Sequence, residues 1–201
     1  MIKLYTAATP NGRKASIALE EVGAEYEVHA VDLQAEEQMK PEFLALNPNH
    51  KIPVIDDDGL VIWESGAILL HLAEKYGKLL PADPRGRIEA IQYAFFQTGG
   101  IGPNLGRFGA AVRKPEGERN PEMIQVFGDE VKRLIGVLDR ILADGRPFLA
   151  REYSIGDIMH YAWLVLALNL KLPMLMEHER VVAWLERIGE RPAVQRGQQI
   201  P

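Results

Sequence analysis

Strand signals in this chain stop at Pro81-Ala82-Asp83-Pro84, and only helical spacing follows them. Two prolines within four residues punctuate the chain, so the tetrapeptide reads as a linker. With 201 residues and this break, two parts are expected: residues 1–80 mixing strands and helices, a linker over 81–86, and an all-helical part over 87–201. At 47% apolar and 25% charged residues, the composition is that of a globule able to bury a core.

Before the break, Ile2 and Leu4 alternate with polar Lys3 and predict a strand. Ala15, Ala18, Leu19 and Val22 recur at i, i+3, i+4 and i+7, which predicts an amphipathic helix ending at Gly23. Tyr26, Val28 and Ala30 alternate again. Pro41 to Leu46 is expected to form a short helix. Pro53-Val54-Ile55 and Leu60-Val61-Ile62 flank Asp56-Asp57-Asp58-Gly59, a hairpin signal. A further helix should follow Ser65, with Ile68, Leu69, Leu72 and Tyr76 on one face and Gly77 past its end. The order is βαβ, then α, then ββα. The first two strands should be parallel, joined by a right-handed crossover, and the hairpin should add an antiparallel pair. After the break, residues 87–98, 122–143, 155–169 and 180–189 carry helical spacing.

Composition narrows the function classes. The net charge of −5 comes from 23 basic and 28 acidic residues with no basic block, which argues against nucleic acid and anionic membrane as partners. The first residues lack the pattern of a signal peptide, and the most apolar segment, 162–168, is too short to span a bilayer, so a cytoplasmic protein is expected. The five histidines show no paired-ligand spacing, and no metal is expected. There is no P-loop, Rossmann glycine fingerprint or nucleophile elbow. The chain has no cysteine, so disulfides and a protein thiol nucleophile are ruled out.

Several short stretches admit both a structural and a chemical reading. Thr9-Pro10-Asn11-Gly12 lies at a strand–turn–helix junction. Asn11 can cap the helix while Thr9 fills the turn. Alternatively, the free N–H groups at the helix start, the Thr9 hydroxyl and the Asn11 amide can stabilise a bound thiolate. In Lys51-Ile52-Pro53-Val54, Pro53 is either a trans residue on an edge strand or a cis residue that turns the Ile52 backbone outward to pair with a peptide-like ligand. Ser65 can cap a helix, or leave its free donors to a carboxylate while Glu64 holds an ammonium group. The stretch from Gly99 to Gly106 should break or kink its helix, as a substrate cleft or as a loop between two shorter helices. Tyr5 is a hydroxyl donor or a core residue. Tyr153-Ser154-Ile155-Gly156-Asp157-Ile158 reads as a capping box with a staple, with no chemistry required.

Taken in order, Thr9-Pro-Asn-Gly-Arg, Asn47-Pro-Asn-His-Lys-Ile-Pro-Val, Glu64-Ser-Gly-Ala-Ile, Tyr153-Ser-Ile-Gly-Asp-Ile and Arg191-Pro-Ala-Val-Gln-Arg resemble the cytosolic glutathione transferase superfamily across nearly the whole chain. The stretches TPNGRK and FFQTGGIGPNLG look most like its bacterial Nu-class branch, which includes glutathione-dependent disulfide reductases. The resemblance implies an α/β thioredoxin-like N-terminal domain, an all-α C-terminal domain lining the electrophile site, and a homodimer. It also implies a role for each matching residue. Ile52, before a cis-Pro53, would pair with the cysteinyl backbone of glutathione. Glu64 and Ser65 would hold the γ-glutamyl end, and Gln38 and Lys51 would contact glutathione, Lys51 near the glycine carboxylate. Thr9 and Asn11 would be the catalytic pair facing the thiol, with Asn11 also contacting glutathione. One departure stands out: where Nu relatives can place an arginine that reaches the neighbouring subunit's glutathione, this chain has Val126.

The expected function is therefore that of a glutathione transferase-type enzyme. It would activate the glutathione thiolate for attack on an electrophile or a disulfide, with glutathione as cosubstrate. The competing expectations are a non-catalytic binding or regulatory protein of the same fold, and a glutathione-dependent isomerase.

Overall fold

The computed structural model describes all 201 residues. The chain divides into two compact units, Met1–Leu80 together with Gly189–Pro201, and Pro81–Ile188. Gly189–Pro201 belongs with the first unit, whereas the sequence reading places residues 87–201 together in the helical part.

The first unit is built on a four-stranded sheet in the order β2-β1-β3-β4, from β1 (Ile2–Thr6), β2 (Tyr26–Ala30), β3 (Val54–Asp57) and β4 (Leu60–Trp63). β1 and β2 are parallel, while β1–β3 and β3–β4 are antiparallel. The β3–β4 turn places Asp58 and Gly59 at φ 52° and 93°, the double left-handed conformation that suits a two-residue hairpin in twisted strands. Alternation along β1 sends Ile2, Leu4 and Thr6 inward to one face. There they meet the buried side of α1 (Pro10–Val22), with Ile17, Ala18 and Leu19, and that of α3 (Ser65–Tyr76), with Ile68, Leu69 and Leu72. On the opposite face, Tyr5, Leu46 and Ile52 pack against buried Val31, Phe43 and Val54, beside the single helical turn α2 (Pro41–Leu44).

Helix ends follow local chemistry, with some corrections. Gly23 and Gly77 close α1 and α3 in the left-handed conformation, as their positions predict. At the start of α1, however, Thr9 and not Asn11 is the N-cap. Its Oγ1 accepts the Gly12 N–H at 3.1 Å, and Pro10 opens the helix one residue before Asn11. Ser65 is not a cap either: it is the first helical residue, and Glu64 precedes it at φ 72°. Asp57 clamps α3 to β3, accepting from His71 Nε2 at 2.8 Å and from Lys75 Nζ at 2.6 Å. Burial raises this carboxyl, but the bonds from Lys75 and His71 outweigh it, and the net shift is downward.

The second unit is helical: α4 (Pro84–Phe96), α5 (Gly102–Arg113), α6 (Pro121–Ile141), α7 (Ile155–Asn169), the short α8 (Pro173–Met176) and α9 (Glu179–Gly189). The first unit ends on α10 (Pro192–Gly197). α4 begins at Pro84, capped by Asp83, so the linker is shorter than the prolines suggest. Val131, Leu134, Ile135 and Leu138 form the buried stripe of α6. No helix is long and apolar enough to cross a membrane.

The glycine-rich stretch forms neither a break nor a loop. Gln97–Ile101 is a π turn that joins α4 to α5 in one helical run. Asn104 Nδ2 donates to Gly100 O at 2.9 Å, satisfying one carbonyl at the distortion, and Gly100 sits against Leu134. Glycine disfavours helix by about 1 kcal/mol per residue, but close packing on α6 prevails here.

The capping box at Ser154 is deeper than its motif suggests. Asp157 is fully buried and accepts Ser154 N–H at 2.9 Å, as expected, but also Leu149 N–H at 3.0 Å and Trp184 Nε1–H at 2.9 Å. The Tyr153 ring meets Phe148 edge-on at 5.2 Å. Burial pushes the Asp157 carboxyl up to about 6, against the pull of these donors. Replacing Asp157 by alanine strands these three N–H donors and the Ser154 hydroxyl, which donates to the same carboxylate at 3.1 Å, each worth about 1–3 kcal/mol, so a loss of about 3 kcal/mol or more is expected in chemical denaturation. Because the folded carboxyl holds its proton more tightly than the unfolded one, its contribution to stability falls as pH rises from about 4 to about 6. Asp157→Asn should abolish that pH dependence; an unchanged slope would refute it.

Candidate functional site

A cavity of about 120 Å³ in the first unit is lined by Asn11, Asn47, Lys51, Ile52, Pro53, Glu64 and Ser65. It draws on the first turn of α1, the loop leading into β3, and the junction of β4 with α3. Of the residues singled out from sequence, Asn11, Lys51, Ile52, Pro53, Glu64 and Ser65 converge here. Thr9 and Gln38 are not among the lining residues. Thr9 lies two residues before Asn11, and Gln38 lies on the 3-10 turn Glu37–Met39.

The loop into β3 is held from within. Asn47 is buried, and its Nδ2 donates to Lys51 O at 2.7 Å while its Oδ1 accepts Asn49 N–H at 2.9 Å. This side-chain clamp, together with His50 at φ 57°, shapes the path through Lys51. Sequence reasoning assigned Asn47 no role; the cue was there, since an asparagine that bonds the backbone two residues on is a common turn device. The Ile52–Pro53 bond is cis. Neither the N–H nor the C=O of Ile52 is hydrogen-bonded within the protein, although β1 pairs with the same strand from Val54 onward. A main-chain donor and acceptor are therefore open at the cavity wall.

Opposite them, Glu64 holds a left-handed backbone that costs non-glycine residues about 1–3 kcal/mol, the kind of strain that clusters at ligand sites. Directly after it, α3 begins without a side-chain cap, leaving the orphan N–H groups of its first turn for an anion. Beneath this wall, Lys14 of α1 is 2% exposed, with its Nζ 3.4 Å from Ser65 Oγ. Burial lowers its pKa to about 7, opposed by the nearby charge of Glu64.

At the start of α1 the Thr9 oxygen already accepts from Gly12 N–H, so its own hydroxyl hydrogen is left to donate elsewhere. Together with Asn11 and the helix start, this makes a donor-rich turn suited to an anion. Tyr5 is not part of it: its ring stacks on His29 at 4.8 Å on the α2 side of the sheet. No group of three or more His, Cys, Asp or Glu side chains is arranged to hold a metal ion. The site thus offers an open peptide edge, a carboxylate, a cation and two anion-favouring helix starts.

Comparison with known proteins fits this inventory. Residues 1–74 match the family described as glutathione S-transferase, N-terminal domain. The chain is 41% identical to the disulfide-bond oxidoreductase YfcG of Escherichia coli, over 96% of this chain and 92% of the relative. It is 35% identical to the disulfide-bond oxidoreductase YghU of the same organism, over 98% and 73%. Among solved structures, a glutathione transferase family member from Pseudomonas fluorescens with two glutathiones bound superposes with a TM-score of 0.93 at 40% identity, covering 100% of this chain and 93% of the other. A glutathione transferase from Pseudomonas putida, with one glutathione disulfide per subunit, gives 0.92 at 42%, covering 100% and 91%. The fold is thus a thioredoxin-like domain with a helical partner region, and the chain belongs to the glutathione transferase family.

Proposed function

We propose that this protein is a glutathione-dependent enzyme that presents the thiolate of the bound tripeptide to a disulfide sulfur or an electrophilic carbon. The observation that carries this reading is the uncommitted backbone of Ile52 at a cavity that Glu64 and Ser65 also line. A cysteinyl residue can pair with Ile52 as an added strand would. Glu64 takes the γ-glutamyl ammonium, and Ser65 with the start of α3 takes its carboxylate. Lys51 attends the glycine end, and Gln38, on the 3-10 turn Glu37–Met39, is a further contact to glutathione. The sulfur then lies toward Asn11 and Thr9, whose donors hold its negative charge and lower its pKa from about 8.5 toward neutrality.

Because the chain has no thiol, the sulfur chemistry runs on glutathione itself. The thiolate attacks one sulfur of a disulfide and forms a mixed disulfide, and the other sulfur leaves as a thiolate that takes up a proton. A second glutathione thiolate attacks the glutathione sulfur of the mixed disulfide, forming glutathione disulfide and releasing the substrate's remaining sulfur as a thiolate that is protonated. A cytoplasmic setting, where glutathione is kept reduced, supplies the electrons. At the position of the Nu-class cross-subunit arginine, Val126 is a 57% exposed apolar residue on α6, so stabilisation of the charge rests on Thr9, Asn11 and the start of α1.

Assays with glutathione against a small disulfide, an aryl halide and a hydroperoxide are expected to give turnover dominated by the disulfide. The double variant Thr9→Ala, Asn11→Ala should lose about 1 kcal/mol of stability with its cap, keep glutathione binding, and lose activity by about 100-fold. Full turnover in that variant would refute the assignment. Binding without turnover in the parent would point instead to a regulatory role; the chain is 35% identical to the transcriptional regulator URE2 of Saccharomyces cerevisiae, over 77% of its length and 46% of that protein. A rearranged product without thiol consumption would indicate an isomerase.

The functional unit proposed is a homodimer. β4 is an edge strand that leaves Leu60, Val61 and Trp63 exposed in the first unit. In the second unit, α4 exposes Ile88 and Phe95, the latter at 74%. Such apolar surface is the mark of an association face. Light scattering should return twice the chain mass, and Trp63→Glu should shift the population toward monomer. A parent protein that is monomeric at micromolar concentration would exclude this.

A further inference from the structure

The buried lysine of α1 plays no part in the reading above, yet it sits directly behind the residues assigned to the γ-glutamyl end. We propose that Lys14 is a positioning residue for that end of glutathione, a concealed cation behind the Glu64–Ser65 wall that couples binding of the ligand's α-carboxylate to uptake of a proton. The inference rests on the glutathione reading and adds a residue and a linkage to it.

The geometry is specific. Lys14 does not line the cavity and is 2% exposed, so it cannot act as a surface anchor for a ligand. Its Nζ lies 3.4 Å from Ser65 Oγ, and Ser65 is itself a cavity wall residue that is 9% exposed. Through this contact the charge on Lys14 bears on the orientation of the Ser65 hydroxyl and on the potential at the start of α3. Several charges on the elements packed around α1, which also include Glu74 of α3, have partners of their own. On α3, His71 and Lys75 bond Asp57; on α10, Arg196 bonds Glu20, and Arg191 bonds Glu21. Arg13 on α1 bonds the Gln198 carbonyl, and Lys3 of β1 is half-buried. Glu64 is the charge that acts on Lys14.

Desolvation holds the Lys14 ammonium at a pKa of about 7, so near neutral pH the empty site is only partly charged there. A carboxylate arriving at the start of α3 brings a negative charge into the same poorly solvated region and favours the protonated form. The ligand's ammonium falls to Glu64 and its carboxylate to Ser65, the residue Lys14 touches at 3.4 Å, so the negative end is taken to dominate at Lys14 and the bound state to hold the proton more tightly than the free state. Affinity should be flat below about pH 6.5 and should fall, by up to about tenfold for each unit separating the two pKa values, as pH rises above it.

The test uses S-methylglutathione, whose blocked sulfur cannot titrate and whose amino group is already protonated near neutrality. Calorimetry on the full chain at pH 7.5, in buffers of low and high ionisation enthalpy, should reveal uptake of a fraction of a proton per site. In Lys14→Met, which keeps the apolar stem and is first checked for folding by thermal melt, uptake should vanish and affinity should lose its pH dependence between 6 and 8.5. Lys14→Gln provides the same comparison if the methionine variant folds poorly. Binding by the parent without proton uptake, or equal uptake in the parent and the variants, would overturn the proposal while leaving the glutathione reading intact. Failure of the parent to bind S-methylglutathione would overturn both.

Discussion

The close approach at Gly12 organises the first unit and its site. A Cβ there would stand 2.2 Å from the Ala7 carbonyl oxygen and 2.5 Å from Thr6 Oγ1, so the position admits only glycine without a shift of backbone. That absence of a side chain lets the first turn of α1 press against the end of β1. The same turn carries the Thr9 cap, brings Asn11 to the cavity edge and buries Lys14 one residue past Arg13. On its other side α1 meets α10 just as closely: a Cβ on Gly197 would lie 2.6 Å from Ile17 Cα, and Ser16 Oγ donates to Gly197 O at 2.7 Å. α1 is therefore fixed between the sheet, α3 and the returning C-terminal segment, and the donors at its start have little freedom to drift. For the proposed role of this turn in stabilising charge, this rigidity matters, because donors that are already aimed need no reorganisation when charge develops.

The chemistry follows from what the chain lacks as much as from what it has. Without a cysteine it cannot run a protein disulfide cycle, and a donor-rich turn where a protein thiol could sit is of use only if the sulfur comes with a ligand. In the proposed reading, the open Ile52 backbone, the Glu64 carboxylate and the start of α3 hold such a ligand by its peptide and amino acid ends, away from the reacting atom. Binding energy is then collected remote from the sulfur, and the sulfur itself is met mainly by hydrogen-bond donors.

Much of this was legible in the residues. The strands, the Asp58-Gly59 hairpin, the left-handed glycines after α1 and α3, and the buried stripe of α6 all followed from spacing and turn chemistry, which are local properties. Errors fell where distant groups compete with local preference. Asn11 looked like the better cap, but the tight turn at Gly12 moved the helix start to Pro10 and gave the cap to Thr9. Ser65 looked like a cap and became the first helical residue, with Glu64 held ahead of it at positive φ. The glycine-rich stretch stayed helical because Leu134 packs against Gly100 and Asn104 satisfies a carbonyl at the π turn. Asp157 read as half of a capping box, whereas the partners that make it a buried hub, Leu149 and Trp184, come from segments its motif does not include.

What the sequence determined by itself was the order and type of the elements in the first eighty residues, the division of signals at Pro81–Pro84, the absence of sulfur nucleophiles, and a family pattern that assigned roles to six of the seven cavity residues. These are written in neighbouring side chains and in short ordered motifs. What only the tertiary structure decided was convergence: that Asn11, Ile52 and Glu64 share one cavity, that Asn47 clamps the loop beneath Lys51, that the last helix returns to α1, and that Lys14 is sealed behind Ser65. Such contacts join residues far apart in the chain, and they depend on close approaches, like those at Gly12 and Gly197, whose steric limits exist only once the backbone is folded.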